Sequence, residues 1–389
     1  MPNPRLPDEL AQQAADAYRE HGDYKSAADA LGIGRAALNA RLRVARARGF
    51  LGVNPKYEIP DGYKLKGTST LYDEIGNAKL QWVKTTQDQE RQAEMMREAI
   101  AAFSTELPRA EPVPKPQATS AHLLAAYPVG DHHFGMYAWK EEAGDDYDLE
   151  IAEKLLFGAF DYLIASAPPA GVGLIVLLGD FLHYDSMVPV TPQNRNQLDA
   201  DSRFPKMVRT AIRAIRYAIK AALSRHEKVR VIVEIGNHDL ASSIFLMECL
   251  ANVYESEPRV EIDTSPKHFH YYEFGKNLIG THHGDNVKLE QLPIVMASDQ
   301  PEAWGRTKYR YVWTCHTHKD RVLDPPGAKV ESFRVLGPTD AWAHKSGYRA
   351  GRGMVGIVLH KELGEVERRT FNPEMLQIGS KISPLMEPA

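Results

Sequence analysis

The sequence predicts an α/β domain that turns β-rich towards its end, preceded by a small all-helical module. Three observations carry that expectation. β-branched and apolar runs at 174–178 and 231–235 are bounded by turn residues and separated by stretches of helical period, as alternating strands and helices require. Residues 8–48 are Ala-rich, with apolar positions at helical spacing. Between the two parts stand Pro108, Pro112, Pro114 and Pro116, a semi-extended spacer of the polyproline kind.

Taken in order, a first helix is expected over 9–21, with Leu10, Ala14, Ala17 and Tyr18 on one face and Gly22-Asp23 ending it. A short helix over 25–31, the turn Gly32-Ile33-Gly34 and a third helix over 35–48 follow. Short helix, glycine-containing turn and longer helix is the helix-turn-helix layout, which Ser26 to Ile33 with Leu38 and Leu42 resembles. Arg35, Arg41, Arg43, Arg46 and Arg48 lie on the third helix with no acid among them, so residues 1–50 are expected to bind DNA through its phosphates. The competing reading is a protein-contact module with a solvated basic face. Residues 51–106 form an accessory region. There 63–66 and 78–84 alternate in polarity around 73–77 like a hairpin, and 88–103 places Ala93, Met96, Ile100 and Phe103 on one helical stripe. Lys64, Lys66, Lys79, Lys84 and Trp82 on that hairpin are more commonly a solvent face than a nucleic-acid contact. The spacer is 107–118, and 119–389 is the larger domain.

Within that domain 148–167 and 203–225 are expected to be helices, and 259–282 and 309–372 mostly short strands. Five apolar runs end in His, Asp or Asn. Residues 123–130 lead into Asp131-His132-His133, 174–178 into Gly179-Asp180-Phe181-Leu182-His183, and 231–235 into Gly236-Asn237-His238-Asp239; 278–281 lead into His282-His283-Gly284, and 311–315 into His316-Thr317-His318. One such cluster would be ordinary turn chemistry. Five on one sheet edge would repel, or shift one another's pKa values strongly, unless cations sat among them, and two divalent metals would satisfy them. His132 and His282 precede the motif positions on extended backbone and are expected to face away, as is a buried Cys315. The polar stretch 184–206 is long enough without structure to be functional. Arg209, Arg213, Arg216 and Lys220 read as a solvated flank of the helix before 226.

In their order, Asp-x-His, Gly-Asp, Gly-Asn-His-Asp, His-Gly and His-x-His resemble the five motifs of the calcineurin-like metallophosphoesterases, over Asp131 to His318. Asp131-x-His133-x-Gly135-x-Tyr137 and Gly179 to His183 are most similar to the DNA-repair exonuclease branch. The resemblance implies an αββα sandwich of two mixed sheets. It gives Asp131, His133, Asp180 and His318 to one metal and Asp180, Asn237, His283 and His316 to the other, with Asp180 bridging. It makes His238 the acid for the leaving oxygen, with Asp239 orienting its imidazole, and brings His183 to the phosphate. Hard carboxylate oxygens with borderline imidazoles suit Mn, Fe, Zn or Mg and do not choose among them; Mn is the ion expected first. The family usually has Gly where Cys315 stands, and the capping domain and ATPase-docking segment of the repair nucleases are not evident. The implied activity is two-metal phosphodiester hydrolysis on DNA, and joining such a domain to a helix-turn-helix resembles phage proteins of DNA metabolism. A phosphomonoesterase or cyclic-nucleotide phosphodiesterase is the alternative enzyme. A DNA-binding regulator with a vestigial catalytic domain is the alternative of another class.

Composition bounds these readings. A length of 389 residues suggests two or three units, and a net charge of −4 leaves no global field that would attract nucleic acid, so any basic surface is local. Cys249 and Cys315 alone exclude a disulfide framework. With no apolar leader or membrane-length run, a cytoplasmic location is expected.

Overall fold

The computed structural model describes residues 6–47, 50, 63–72, 78–87 and 109–379. The chain divides into two compact units, Met1–Met95 and Met96–Ala389.

In the first unit, helices α1 (Asp8–His21), α2 (Tyr24–Ala30) and α3 (Arg35–Ala47) begin and end where the sequence puts its breakers. Gly22 takes a φ of 73° and returns its N–H to the Tyr18 carbonyl, closing α1. Asp23 then caps α2 by accepting the backbone N–H groups of Lys25 and Ser26. Ala14, Ala17, Ala27, Ala28, Leu38 and Leu42 are the shared core. Arg35 and Arg43 are exposed and Arg41 is half-buried; the side chain of Arg46 and all of Arg48 lie outside the described residues. Strands β1 (Tyr63–Tyr72) and β2 (Ala78–Gln87) pair antiparallel and run longer than their polarity pattern indicates. The expected helix over 88–103 and the hairpin turn at 73–77 lie outside the described residues.

The first described residues of the second unit, 109–118, belong to the proline-rich segment; they have no regular structure but are fastened down. Ala110 and Val113 pack on the core. The Ala110 N–H donates to the Val253 carbonyl, and the buried Arg259 guanidinium donates to the carbonyls of Val113, Leu223, His226 and Glu227. Strand β3 (Ser120–Val129) follows, then helices α4 (Lys140–Ala143) and α5 (Leu149–Ser166), β4 (Ala170–Leu177), α6 (Phe204–Arg225), β5 (Lys228–Val233), α7 (Leu240–Val253) and β6 (Val260–Ile262). A second sheet is built from β7 (His270–Phe274), β8 (Asn277–Thr281), β9 (Tyr309–Thr314), β10 (Arg321–Leu323) and β11 (Lys329–Ser332), with α8 (Leu292–Asp299) and α9 (Pro301–Arg306) between β8 and β9. After α10 (Ala341–Lys345), β12 (Met354–His360) and β13 (Gly364–Phe371) return to the first sheet, and α11 (Glu374–Gly379) ends the described chain.

Both sheets are mixed, in the orders β13-β12-β3-β4-β5-β6 and β10-β11-β9-β8-β7. β3 to β6 run parallel and β12 joins β3 antiparallel; β8, β9 and β11 run parallel and carry antiparallel β7 and β10 at the edges. Because side chains alternate across a strand, each central strand serves two cores. Leu124 and Ala126 of β3 meet Ile279 of β8 and Trp313 of β9 between the sheets. Ala125 and Tyr127 face the other way, onto α5 and α6. Leu278 and Val312, from the outer face of the second sheet, pack on α8. The result is helices, sheet, sheet, helices, the expected sandwich. The apolar stripe of α6 is buried at Val208, Ile212, Ile215 and Ile219, while Arg213 on its flank pairs with Glu153 at 2.6 Å.

Candidate metal centre

The five expected motifs occupy the C-terminal ends of β3, β4 and β5 in one sheet and of β8 and β9 in the other, so two sets of parallel strands deliver them to a common edge. Backbone pairing continues past the strands and fixes the loops. The His133 N–H donates to the Asp180 carbonyl at 3.0 Å, Phe134 N–H to Phe181 at 2.9 Å and His183 N–H to Phe134 at 2.9 Å. Across the sheets, the His316 N–H donates to Asp131 Oδ2 at 2.7 Å. Asp131, His133, Asp180, His316 and His318 all take left-handed backbone, with φ between 32° and 64°. Single left-handed Asp and His residues occur in turns, but five together on one sheet edge hold strain of the kind functional sites keep.

Gly179 and Gly236 let these loops close. A Cβ on Gly179, whose φ is 91°, would meet His283 Nδ1 at 2.5 Å, and one on Gly236 would meet Asp180 Oδ1 at 2.1 Å.

Two clusters of ligand atoms contain the expected ligands, Asp131 with His133 and His318, and Asp180 with His283 and His316; His133 with His183 and His238, and Asp131 with His283 and Cys315, also gather within reach of one another among the described residues. His283 shows how the Asp180 cluster is aimed. Its Nδ1 bonds the Leu178 carbonyl at 2.8 Å, which makes Nδ1 the donor and turns Nε2 inwards. Around that Nε2 stand Asn237 Oδ1 at 3.0 Å, Asp180 Oδ2 at 3.3 Å and His316 Nδ1 at 3.3 Å. A single N–H cannot satisfy three acceptors, whereas a cation accepts lone pairs from all of them. In the first cluster Asp131 Oδ1 is buried without a hydrogen-bond partner, 3.6 Å from His318 Nε2. The donor set and this orphaned oxygen fit divalent metal ions.

Electrostatics agree with mutual dependence. Burial by itself would raise the Asp180 carboxyl, but the His283, His238 and His133 imidazoles hold it below the carboxylate range. Burial would depress His283, yet Asp180 and Cys315 raise it well above the ordinary imidazole value. At His133 burial, reinforced by His238 and His183, outweighs the opposing Asp180 carboxylate and depresses the imidazole well below its ordinary value.

His238 is half-buried, its Nδ1 2.8 Å from the His183 carbonyl, leaving Nε2 as the atom available to a substrate. That contact corrects the expected role of Asp239. The Asp239 carboxylate accepts the backbone N–H groups of Asp180, Leu182 and Gly236, at 3.2, 3.0 and 3.1 Å. It ties the β4 and β5 loops together instead of orienting the imidazole, and burial together with Asp180 pushes its carboxyl up to about 7. His183 is buried, with Nδ1 3.4 Å from His133 Nδ1 and its ring stacked on His238. His132 bonds the Ala152 carbonyl, and His282 accepts the Gly284 N–H and stacks on Phe269, both away from the clusters as expected. Cys315 is buried between the sheets with its S–H on the Leu178 carbonyl; its sulfur nevertheless lies 3.6 Å from His283 Nδ1.

A cleft of about 1100 Å³ opens over the clusters, with His133, Asp180, Asn237, His238, His316 and His318 on its floor. The polar stretch expected to be functional supplies part of its wall at 191–199. Much of the rest comes from 337–352, beside Met136 and 143–145; that segment's pattern reads as short strands, and the signal that sets it apart is the run from Trp342 to Tyr348 between Gly337-Pro338 and Gly351. No helix among the described residues is long and apolar enough to cross a membrane.

No family model matches the chain, and no curated protein matches it. Among solved structures it is similar to a dimetal phosphatase from Danio rerio (TM-score 0.35, 10% identity, 64% of this chain and 98% of that one). It is also similar to a novel archaeal phosphodiesterase (0.31, 14%, 64% and 98%) and to the phosphoesterase Yfce from E. coli (0.30, 14%, 64% and 100%).

Proposed function

We propose that the chain is a metal-dependent phosphodiesterase acting on DNA. The observation that carries this reading is the convergence of acceptor atoms on His283 Nε2 beside the first cluster, at Asp131. Asp131, His133, Asp180 and His318 would hold one divalent ion and Asp180, Asn237, His283 and His316 the other. Bound there, such ions supply Lewis acidity towards phosphoryl oxygens and a nucleophilic water near neutral pH. The chain's own residues do the remainder. His238, oriented through Nδ1 by the His183 carbonyl, presents Nε2 to the departing oxygen as its proton donor. Asp239 keeps Asp180 and His238 in register from behind, and His183, buried against His133 and His238, positions both rings. The helices over 8–47 and their Arg35, Arg41 and Arg43 would tether the enzyme to DNA phosphates.

The test is hydrolysis of bis(p-nitrophenyl) phosphate and of labelled DNA by Mn-loaded protein, beside a phosphomonoester. Cleavage of both diesters supports the reading. Turnover of the monoester alone moves the assignment to a phosphatase, and no turnover of any of them leaves the DNA-binding regulator.

A further inference from the structure

The floor of the cleft accounts for a phosphate; its wall needs a different partner. Trp342 is 67% exposed, too much for a core residue of that size, yet it lines the same cleft as the clusters. Its ring centroid lies 5.9 Å from that of Tyr348 with the two planes tilted by 31°, and the pair stands as an aromatic shelf on the cleft wall. Lys319, the residue after His318, places its ammonium 5.1 Å from the Tyr348 ring centre, joining shelf to floor. Arg349 holds the segment by donating to the carbonyls of His344 and Tyr348. Neither cation has an acidic partner among the described residues. Asn194 and Gln197, which line the cleft as well, carry both donors and acceptors.

The wall also carries Asp145, paired with Arg352, and Asp199 and Asp340, but an aromatic shelf, two cations without acidic partners and amides beside a phosphate floor match one kind of ligand, a planar heterocycle attached through a sugar to an anion. We propose that Trp342 and Tyr348 form a stacking site for an unpaired nucleobase, so that the cleft takes single-stranded nucleic acid in preference to paired duplex. In a duplex each base is already stacked and paired, and only a released base offers its face to an indole and its edge to amides. This rests on the phosphodiesterase reading, since the base is placed by the phosphate next to it.

The test separates the two. Binding of a fluorescein-labelled thymidine oligonucleotide, and of the same strand with consecutive abasic residues, is measured by anisotropy on the Mn-loaded full chain carrying His238→Ala, which keeps the metal floor and suppresses cleavage. Any phosphate contacts made by the N-terminal helices contribute equally to both strands. The ordinary strand should bind about tenfold more tightly; Trp342→Ala should bring that preference close to one, and Trp342→Phe should keep most of it. Equal binding of the two strands with Trp342 in place, or a preference untouched in Trp342→Ala, overturns the stacking site, whatever the diester assays show. A base preference that depends on Trp342, with no phosphodiester hydrolysed by the wild-type chain, supports the stacking site and overturns the catalytic reading instead.

Discussion

Adding one methyl group at Gly236 tests whether close packing behind Asp180 builds the centre. A Cβ there would lie 2.1 Å from Asp180 Oδ1, 2.2 Å from its backbone N and 2.9 Å from Cγ, where ordinary contact begins at 3.4 Å. More than an ångström of movement is needed, and Asp180 is held from both sides: its N–H is on Asp239 Oδ1 and its Oδ1 receives the His238 N–H at 2.7 Å. Such overpacking costs about 1–3 kcal/mol, which in a domain of this size lowers Tm by about 2–12 °C. The larger effect is on chemistry, because a misplacement of about 1 Å costs on the order of 10²-fold in rate. Thermal unfolding, metal content and bis(p-nitrophenyl) phosphate turnover of Gly236→Ala should be read beside Gly305→Ala, whose added Cβ meets nothing within 4 Å. The Gly305 variant should stay within about 1 kcal/mol of wild type. A Gly236→Ala protein with wild-type Tm, metal and turnover would refute the packing geometry behind Asp180.

Three further outcomes are expected. His238→Ala should lose about 10²–10⁴-fold in turnover while keeping both metals, and loss of metal by elemental analysis would instead make His238 a ligand. Asp180→Asn preserves a side chain that accepts left-handed backbone but removes the charge, so both metals should fall together; loss of one alone would show that Asp180 does not bridge. A chain starting at residue 108 keeps the Ala110 and Val113 contacts and should retain small-diester turnover with weaker DNA binding. Its log–log salt slope on duplex DNA should flatten by about 0.9 for each phosphate no longer neutralised, and superimposable salt curves for long and short chains would assign the N-terminal helices to protein contacts.

The ends of strands were legible because a buried parallel strand must be continuously apolar, and the residue that stops the run is then conspicuous. Asp131, Asp180, Asn237, His283 and His316 stand out in this way, as do Gly22 and Asp23 between helices in the first unit. The division of labour among their neighbours was not legible. Asp239 follows His238 in the chain, yet its carboxylate answers backbone N–H groups 57 and 59 residues away, since those buried donors would otherwise go unpaired. Trp342 and Tyr348 fall in a stretch whose pattern reads as short strands, and only the placing of 337–352 beside the floor makes them a wall. The proline-rich segment reads as a spacer by composition, but Arg259 fastens it through Val113, 146 residues distant. Local pattern therefore determined which residues end strands and which turns separate the helices, because those depend on nearest neighbours along the chain. The tertiary structure decided which way each imidazole points and which loop covers it, because hydrogen bonds such as His316 N–H to Asp131, 185 residues apart, form only when two sheets pack.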